Sequence, residues 1–257
     1  NMYIHELSDW PHFTWDYKAI TGLLAEVSRK QGYLLGQMQT AGLLIRDEAV
    51  LHTLTQDVLK SSEIEGESLN EKQVRSSIAR RLGLSTAGMV PSSRNVDGVV
   101  EMLVDAVQSY REDLTEEKLF FWHGQLFPVP SGPLGSIRVG TWRDDATGPM
   151  QVVSGPIGRP TVHFEAPVAA RLQQEMEAFL AWYNAEDAEN KVLKAAIAHL
   201  WFVTIHPFDD GNGRLARAIT DRMLAKAEGS DCRFYSLSTQ ICHDRNAYYE
   251  ALEDAQK

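Results

Sequence analysis

Between His206 and Arg217 the chain reads HPFDDGNGRLAR, and each residue type in it suits the handling of a nucleotide phosphate. His206 carries an imidazole that can take a proton near neutral pH. Pro207 disfavours the α region for the residue before it, so the apolar helix upstream is expected to end at about His206. Asp210 is a hard oxygen donor of the kind Mg2+ takes together with substrate phosphates. Gly211 and Gly213 let the backbone approach a ligand closely and adopt unusual dihedrals. A new helix is expected from about Gly213, and its free N–H groups and dipole attract anions. Arg214 and Arg217 stand three residues apart in that helix, so both project from one face. Phe208 is expected to point inward as an apolar anchor for the loop.

At these residues the sequence resembles the Fic family, whose motif is HxFx(D/E)GNGRxxR. His206, Phe208, Asp210, Gly211, Asn212, Gly213, Arg214 and Arg217 occupy every fixed position. The resemblance implies transfer of AMP from ATP to a protein hydroxyl. It makes His206 the general base and Asp210 the Mg2+ ligand, with Gly211, Asn212 and Gly213 as the anion cradle. Arg214 would hold the β-phosphate and Arg217 the γ-phosphate. A second stretch, Ser61-Ser62-Glu63-Ile64-Glu65-Gly66, resembles the Fic inhibitory motif (S/T)xxxE(G/N), with Ser61, Glu65 and Gly66 on the fixed positions. Ser61 and Glu65 are four apart and share a helix face, and Gly66 is placed to end that helix. The resemblance implies an N-terminal inhibitory helix in which Glu65 pairs with Arg217 and takes the place of the γ-phosphate.

Two softer assignments follow from the same resemblance. A β-flap at about 150–164 would hold the protein substrate by strand addition. Asn246 and Tyr249 would wall the adenine pocket, Asn246 by hydrogen bonds to a base edge and Tyr249 by stacking. His199 lies seven residues before His206 on the same helix face and reads as a buried structural histidine. The remaining histidines, His123 among them, show no partner by spacing.

The elements needed to position these residues are mostly helical. Capping residues and apolar periodicity predict helices over about 14–42, 47–64, 70–82, 95–110, 115–126, 168–183, 191–206, 213–227 and 245–256. Residues 83–92 read as a loop or soft boundary, rich in Gly, Ser and Pro. Strand signals occur at 151–153 and 161–164, flanking a Gly155-Pro156-Ile157-Gly158 turn, which predicts a hairpin. Trp10, Phe13 and Trp15 suggest a packed aromatic cluster. The expected fold is therefore an all-α Fic-type bundle with a small hairpin flap. Residues 1–88 would be an N-terminal helical region that includes the inhibitory helix (47–66), and 89–257 the catalytic core. The resemblance implies that relatives with a similar N-terminal part often carry a winged-helix domain further on, and the chain is expected to stop short of one.

Composition excludes some other classes. The 257 residues are 44% hydrophobic and 23% charged, ordinary for a globular protein. A net charge of −10 argues against a general nucleic-acid-binding surface. The longest apolar stretch, 195–205, is broken by His199 and too short to span a bilayer. Cys232 and Cys242 lack metal-ligand spacing and read as reduced thiols. The expectation is a cytoplasmic bacterial enzyme, self-inhibited, using ATP and Mg2+ and compatible with a homodimer. Two alternatives keep the same residues: an enzyme that removes AMP from a modified protein, with Glu65 positioning water, and a non-enzymatic nucleotide-sensing regulator.

Overall fold

The computed structural model of the chain describes residues 2–85, 89–128, 137–154, 159, 161–187 and 189–257. Among these residues there are ten α-helices and one two-stranded sheet, so the all-α fold with a hairpin holds. The first five helices are α1 (Tyr17–Thr40), α2 (Leu43–Ile64), α3 (Glu71–Arg81), α4 (Arg94–Gln108) and α5 (Glu116–Leu126). Strands β1 (Gln151–Ser154) and β2 (Thr161–Glu165) follow, then α6 (Leu172–Asn184) and α7 (Lys191–Ile205). The chain continues through α8 (Asn212–Glu228), α9 (Leu237–His243) and α10 (Arg245–Gln256).

Side-chain caps start most of these helices. Asn70, Ser93, Thr115 and Asn190 each accept a backbone N–H from the first turn they precede, satisfying donors that have no partner inside the helix. Several boundaries differ from expectation, two of them for the same reason. Asp16 rather than Thr14 caps α1, accepting from Lys18 and Ala19. Ser93 starts α4 ahead of Asn95. Only Ala41 and Gly42 separate α1 from α2, so α2 begins at Leu43 and not near Asp47. The segment before α6 is a short 3-10 turn, Ala169–Arg171. Helix α9 is absent from the sequence reading: it has seven residues and is opened by Ser236, too short to show a repeating apolar face. The predicted turn at 155–158 lies outside the described residues.

Helix α8 runs through the core against α7, with α2, α4 and α5 also packed on it. Trp122, Phe179, Phe202, Leu215 and Ile219 lose all contact with solvent there. Each such side chain stabilises the fold by about 1.5–3 kcal/mol relative to exposure. Trp10 and Phe13 close on Trp201, with ring centroids 6.0 and 5.5 Å away, but Trp15 packs on Tyr17 and stays outside that cluster. Helix α1 buries none of its residues. An apolar cavity of about 710 Å³ separates it from α7, α9 and α10, with Val27 and Leu34 on its near side and Leu200 and Leu252 on the far side. None of the described helices is long and apolar enough to cross a membrane.

Candidate active site

The α7–α8 junction is held by residues distant in sequence. His206 ends α7 in the left-handed region, at φ 51° and ψ 58°, the one non-glycine residue with positive φ among those described. Such a conformation costs on the order of 1–3 kcal/mol and persists only where its surroundings over-determine it. Here the surroundings are plain. The His206 N–H donates to Phe202 O at 3.0 Å. Arg143, fully buried at its side chain, donates Nε to His206 O at 2.7 Å, and its own N–H donates to Pro207 O at 2.9 Å.

Phe208 is fully buried, as expected of a loop anchor, and stacks on His123 with centroids 4.2 Å apart and planes 9° from parallel. His123 Nδ1 accepts the Gly140 N–H at 3.0 Å, so the proton sits on Nε2, which donates to Asp210 O at 3.1 Å. Burial lowers the His123 pKa and favours this neutral form. The Asn212 side chain closes the loop from the other side, donating Nδ2 to Phe208 O at 2.8 Å and accepting the Phe208 N–H at 3.0 Å. Both ends of that buried side chain are committed to Phe208, so what Asn212 offers an anion is its backbone N–H.

The His206 ring lies with Nδ1 3.2 Å from Val203 O. A carbonyl only accepts, so Nδ1 carries the hydrogen and Nε2 keeps a lone pair that has no partner among the described residues. Burial pushes the His206 pKa below its ordinary value of 6.5 and keeps the ring neutral at neutral pH. Beyond the loop, Gly211 at φ +83° turns the chain into α8, a conformation that only glycine adopts without strain. The first hydrogen bond of α8 runs from Leu215 N–H to Gly211 O at 3.0 Å. The N–H groups of Asn212, Gly213 and Arg214 thus lie outside the helical ladder. Arg214 and Arg217 are 2% and 1% exposed. Two cations and the positive end of a helix therefore meet beside a neutral imidazole.

Helix α2 arrives at this point from the opposite direction. Gly66, at φ +82°, ends it, and the Glu67 N–H closes the turn on Ser62 O at 2.9 Å. Glu65 and Glu67 flank that glycine, and both face α8. Glu65 Oε1 accepts Arg217 Nη2 at 2.6 Å. Ser61 holds the same guanidinium at two further points, its Oγ accepting Nε at 2.8 Å and its carbonyl accepting Nη2 at 3.0 Å. A Cβ on Gly213 would lie 2.1 Å from Glu65 Oε1, so the absent side chain is what admits a carboxylate to the α8 N-terminus. Glu67 Oε2 accepts Arg214 Nη1 at 2.9 Å.

His206, Asp210, Gly211, Asn212, Gly213, Arg214, Arg217, Ser61, Glu65 and Gly66 are thus brought together. Asn246 and Tyr249 stand apart: both are exposed on α10, and neither hydrogen-bonds to the loop among the described residues. Their helix is nonetheless tied to the site, because the neighbouring Arg245 donates Nη2 to Ile64 O at 2.6 Å. His199 hydrogen-bonds Thr220 Oγ1 at 3.0 Å and Tyr248 OH at 2.8 Å, and burial drives its pKa down to about 3, the behaviour of a structural histidine. Strands β1 and β2 pair only with each other among the described residues, and Val152 and Val153 are exposed on β1.

Three residues at the site were not expected from the sequence. His123 is corrected from partnerless to a clamp on the loop, and Arg143 went unnoticed. Both act across long stretches of chain and leave no local signal. Glu67 did carry one, as the second acid beside Gly66.

Asp210 fits a Mg2+ ligand. One carboxylate oxygen accepts the Gly211 N–H at 2.6 Å, while the other has no hydrogen bond among the described residues and the residue is exposed. Among those residues no cluster of three His, Cys, Asp or Glu could hold a metal alone, so phosphate oxygens and water would complete such a shell.

The fold and loop define a helical bundle in which two buried arginines and a helix N-terminus meet at one junction, and known proteins resemble it in part. Residues 113–224 match the family described as Fic/DOC, and residues 3–84 match one described as a domain of unknown function, DUF4172. Protein adenylyltransferase Fic of Nematostella vectensis is 24% identical over 223 residues, which is 84% of this chain and 46% of that protein. The protein of the same name from Culex quinquefasciatus is 27% identical over 207 residues, 78% of this chain and 36% of that protein. The chain therefore spans less than half the length of these curated relatives. A solved Fic family protein from Desulfovibrio desulfuricans superposes with a TM-score of 0.63 at 21% identity, over 95% of this chain and 68% of its own. A Fic domain containing signaling protein from Bacteroides thetaiotaomicron gives 0.61 at 19% identity, over 87% and 79%. These two likenesses show the shared fold, and the match to the Fic/DOC family is carried by residues 113–224.

Proposed function

We propose that the chain is a self-inhibited protein adenylyltransferase that transfers AMP from ATP to a Ser, Thr or Tyr hydroxyl of a protein, itself included. The observation that carries this reading is the state of His206, a neutral imidazole beside the α8 N-terminus whose Nε2 has no partner among the described residues. A protein that only binds a nucleotide needs the arginines but not a base. In the reaction, the acceptor hydroxyl oxygen bonds to the α-phosphorus of ATP as its proton passes to His206 Nε2. The bond from the α-phosphorus to the bridging oxygen breaks, and that oxygen leaves with pyrophosphate. Arg214 and Arg217 hold the β- and γ-phosphates by charge-assisted hydrogen bonds, and the free N–H groups of Asn212, Gly213 and Arg214 face the developing charge. Asp210 would hold Mg2+, which when bound supplies neutralising charge to the phosphates. Asn246 and Tyr249, exposed beside the end of α2, would receive the base. The free edge of β1 would take an extended segment of the target by backbone pairing.

Inhibition follows from competition for Arg217. With Glu65 and Ser61 holding that guanidinium, the γ-phosphate meets a carboxylate where it needs a cation, and ATP is denied the pose for in-line attack. The test is labelling with α-labelled ATP, with and without cell lysate. Wild type should label weakly, Glu65→Gly strongly, and Arg217→Ala and the Glu65→Gly/Arg217→Ala double variant equally weakly, because one partner is shared. A folded, ATP-binding Glu65→Gly protein that labels nothing would overturn the reading in favour of a nucleotide-sensing regulator. Removal of AMP from a modified protein by wild type, lost in Glu65→Gly, would establish the reverse reaction instead.

A further inference from the structure

The turn that ends α2 presents two carboxylates to α8, and competition for Arg217 uses only one. Glu67 holds Arg214 through a single pair, Nη1 to Oε2 at 2.9 Å. The Arg214 side chain is 2% exposed, while that of Glu67 is 40% exposed. Arg214 is also incompletely satisfied: its Nε is buried and has no partner among the described residues, and the Phe127 ring lies 5.4 Å from its guanidinium carbon. A guanidinium has five N–H donors, so burying one with a single acceptor and an orphaned Nε is unfavourable unless another anion fills the place. Arg217, by contrast, donates three hydrogen bonds, two to Ser61 and one to Glu65. The geometry of the turn explains how Glu67 gets there. Its N–H is fixed on Ser62 O, so the left-handed glycine sends residues 65 and 67 toward the same helix end.

We infer that Glu67 is a second gate, independent of Glu65, that occupies the β-phosphate subsite by holding Arg214 and so sets the affinity for nucleoside diphosphates as well as triphosphates. The inference rests on the proposed reading of Arg214 and Arg217 as the β- and γ-phosphate partners. It separates the two glutamates by ligand. Glu65 opposes only a ligand that has a γ-phosphate, whereas Glu67 opposes ADP and ATP alike. Nucleotide entry displaces the half-exposed Glu67 carboxylate into water, and phosphate oxygens take over Arg214, including the orphaned Nε.

The test is calorimetric titration with Mg2+–ADP and Mg2+–ATP in a His206→Ala background, which prevents turnover. Glu67→Gln keeps the side chain's size and should tighten ADP and ATP equally, by about three- to ten-fold. Glu65→Gly should tighten ATP more than ADP. Glu63→Gln removes a carboxylate of the same helix end that pairs with Lys60 instead, and should move neither. Arg214→Ala should weaken ADP binding. If Arg214→Ala weakens ADP but Glu67→Gln and Glu67→Ala leave it unchanged or weaker, the gate is overturned and the phosphate assignment stands. If Arg214→Ala leaves ADP affinity unchanged, the phosphate assignment falls and the gate with it. Thermal unfolding of each variant verifies that the fold is intact.

Discussion

Helices α1 and α8 are both long, yet they use their apolar residues in opposite ways. Helix α8 has 17 residues and buries 13 of them, Arg214 and Arg217 included. Helix α1 has 24 and buries none, and its side-chain hydrogen bonds to the rest of the chain run through Gln31, to Glu228 and Tyr235. Apolar spacing states which face of a helix avoids water, not what covers that face. For α8 the covering is supplied by α7, α2, α4 and α5 and by buried polar groups with fixed partners. For α1 it is an apolar cavity on one side and solvent on the other, with Leu23 and Tyr33 exposed at 63% and 67%. The proposed function sits at the over-determined end, where a strained histidine and two buried cations need a rigid frame.

If this contrast is right, the largest loss should come at His206. In the Glu65→Gly protein, His206→Ala should reduce transfer on the order of 10²–10⁴-fold while leaving ATP affinity within a few-fold. The same activity should fall at acidic pH with an apparent pKa below 6.5, because burial makes the ring harder to protonate and the base form persists to lower pH. An acid limb above 6.5 would mean that burial does not hold the ring's pKa down. Phe208→Ala comes next. It empties a fully buried site between His123 and Trp142 and should lower unfolding free energy by about 3–5 kcal/mol in denaturant titrations. A loss below 1 kcal/mol would show that the loop does not depend on its anchor. Smallest of all is Leu23→Ser on α1, expected within about 0.5 kcal/mol of wild type. A loss above 1 kcal/mol would mean that α1 packs against a partner in solution, and the contrast with α8 would fail.

Legibility in the sequence followed chain distance. The junction could be read because its chemistry is contained in twelve consecutive residues, 206–217. The end of α2 could be read because Gly66 is a local stop signal with a fixed conformational meaning. The hairpin strands could be read from their composition. What could not be read acts at long range: the His123 bond to Asp210 spans 87 positions and the Arg143 bond to His206 spans 63. No periodicity or cap announces such contacts. Boundaries slipped wherever a rival cap lay within a few residues, as at Asp16 and Ser93.

By itself, then, the sequence determined the inventory: a base, a carboxylate, two glycines and two arginines around a forced helix break, and a serine–glutamate face ending at a glycine. Those are consequences of local dihedral preference and of spacing along one helix. Only the tertiary structure decided that Glu65 and Glu67 each take a different arginine, and that the Asn212 side chain faces the loop and not a ligand. It also decided that His206 keeps Nε2 without a partner among the described residues. These outcomes depend on where separate helices meet. Which donor finds which acceptor is settled by the packing of the whole core, through distances and burial that residues 150 positions apart cannot encode in their local pattern.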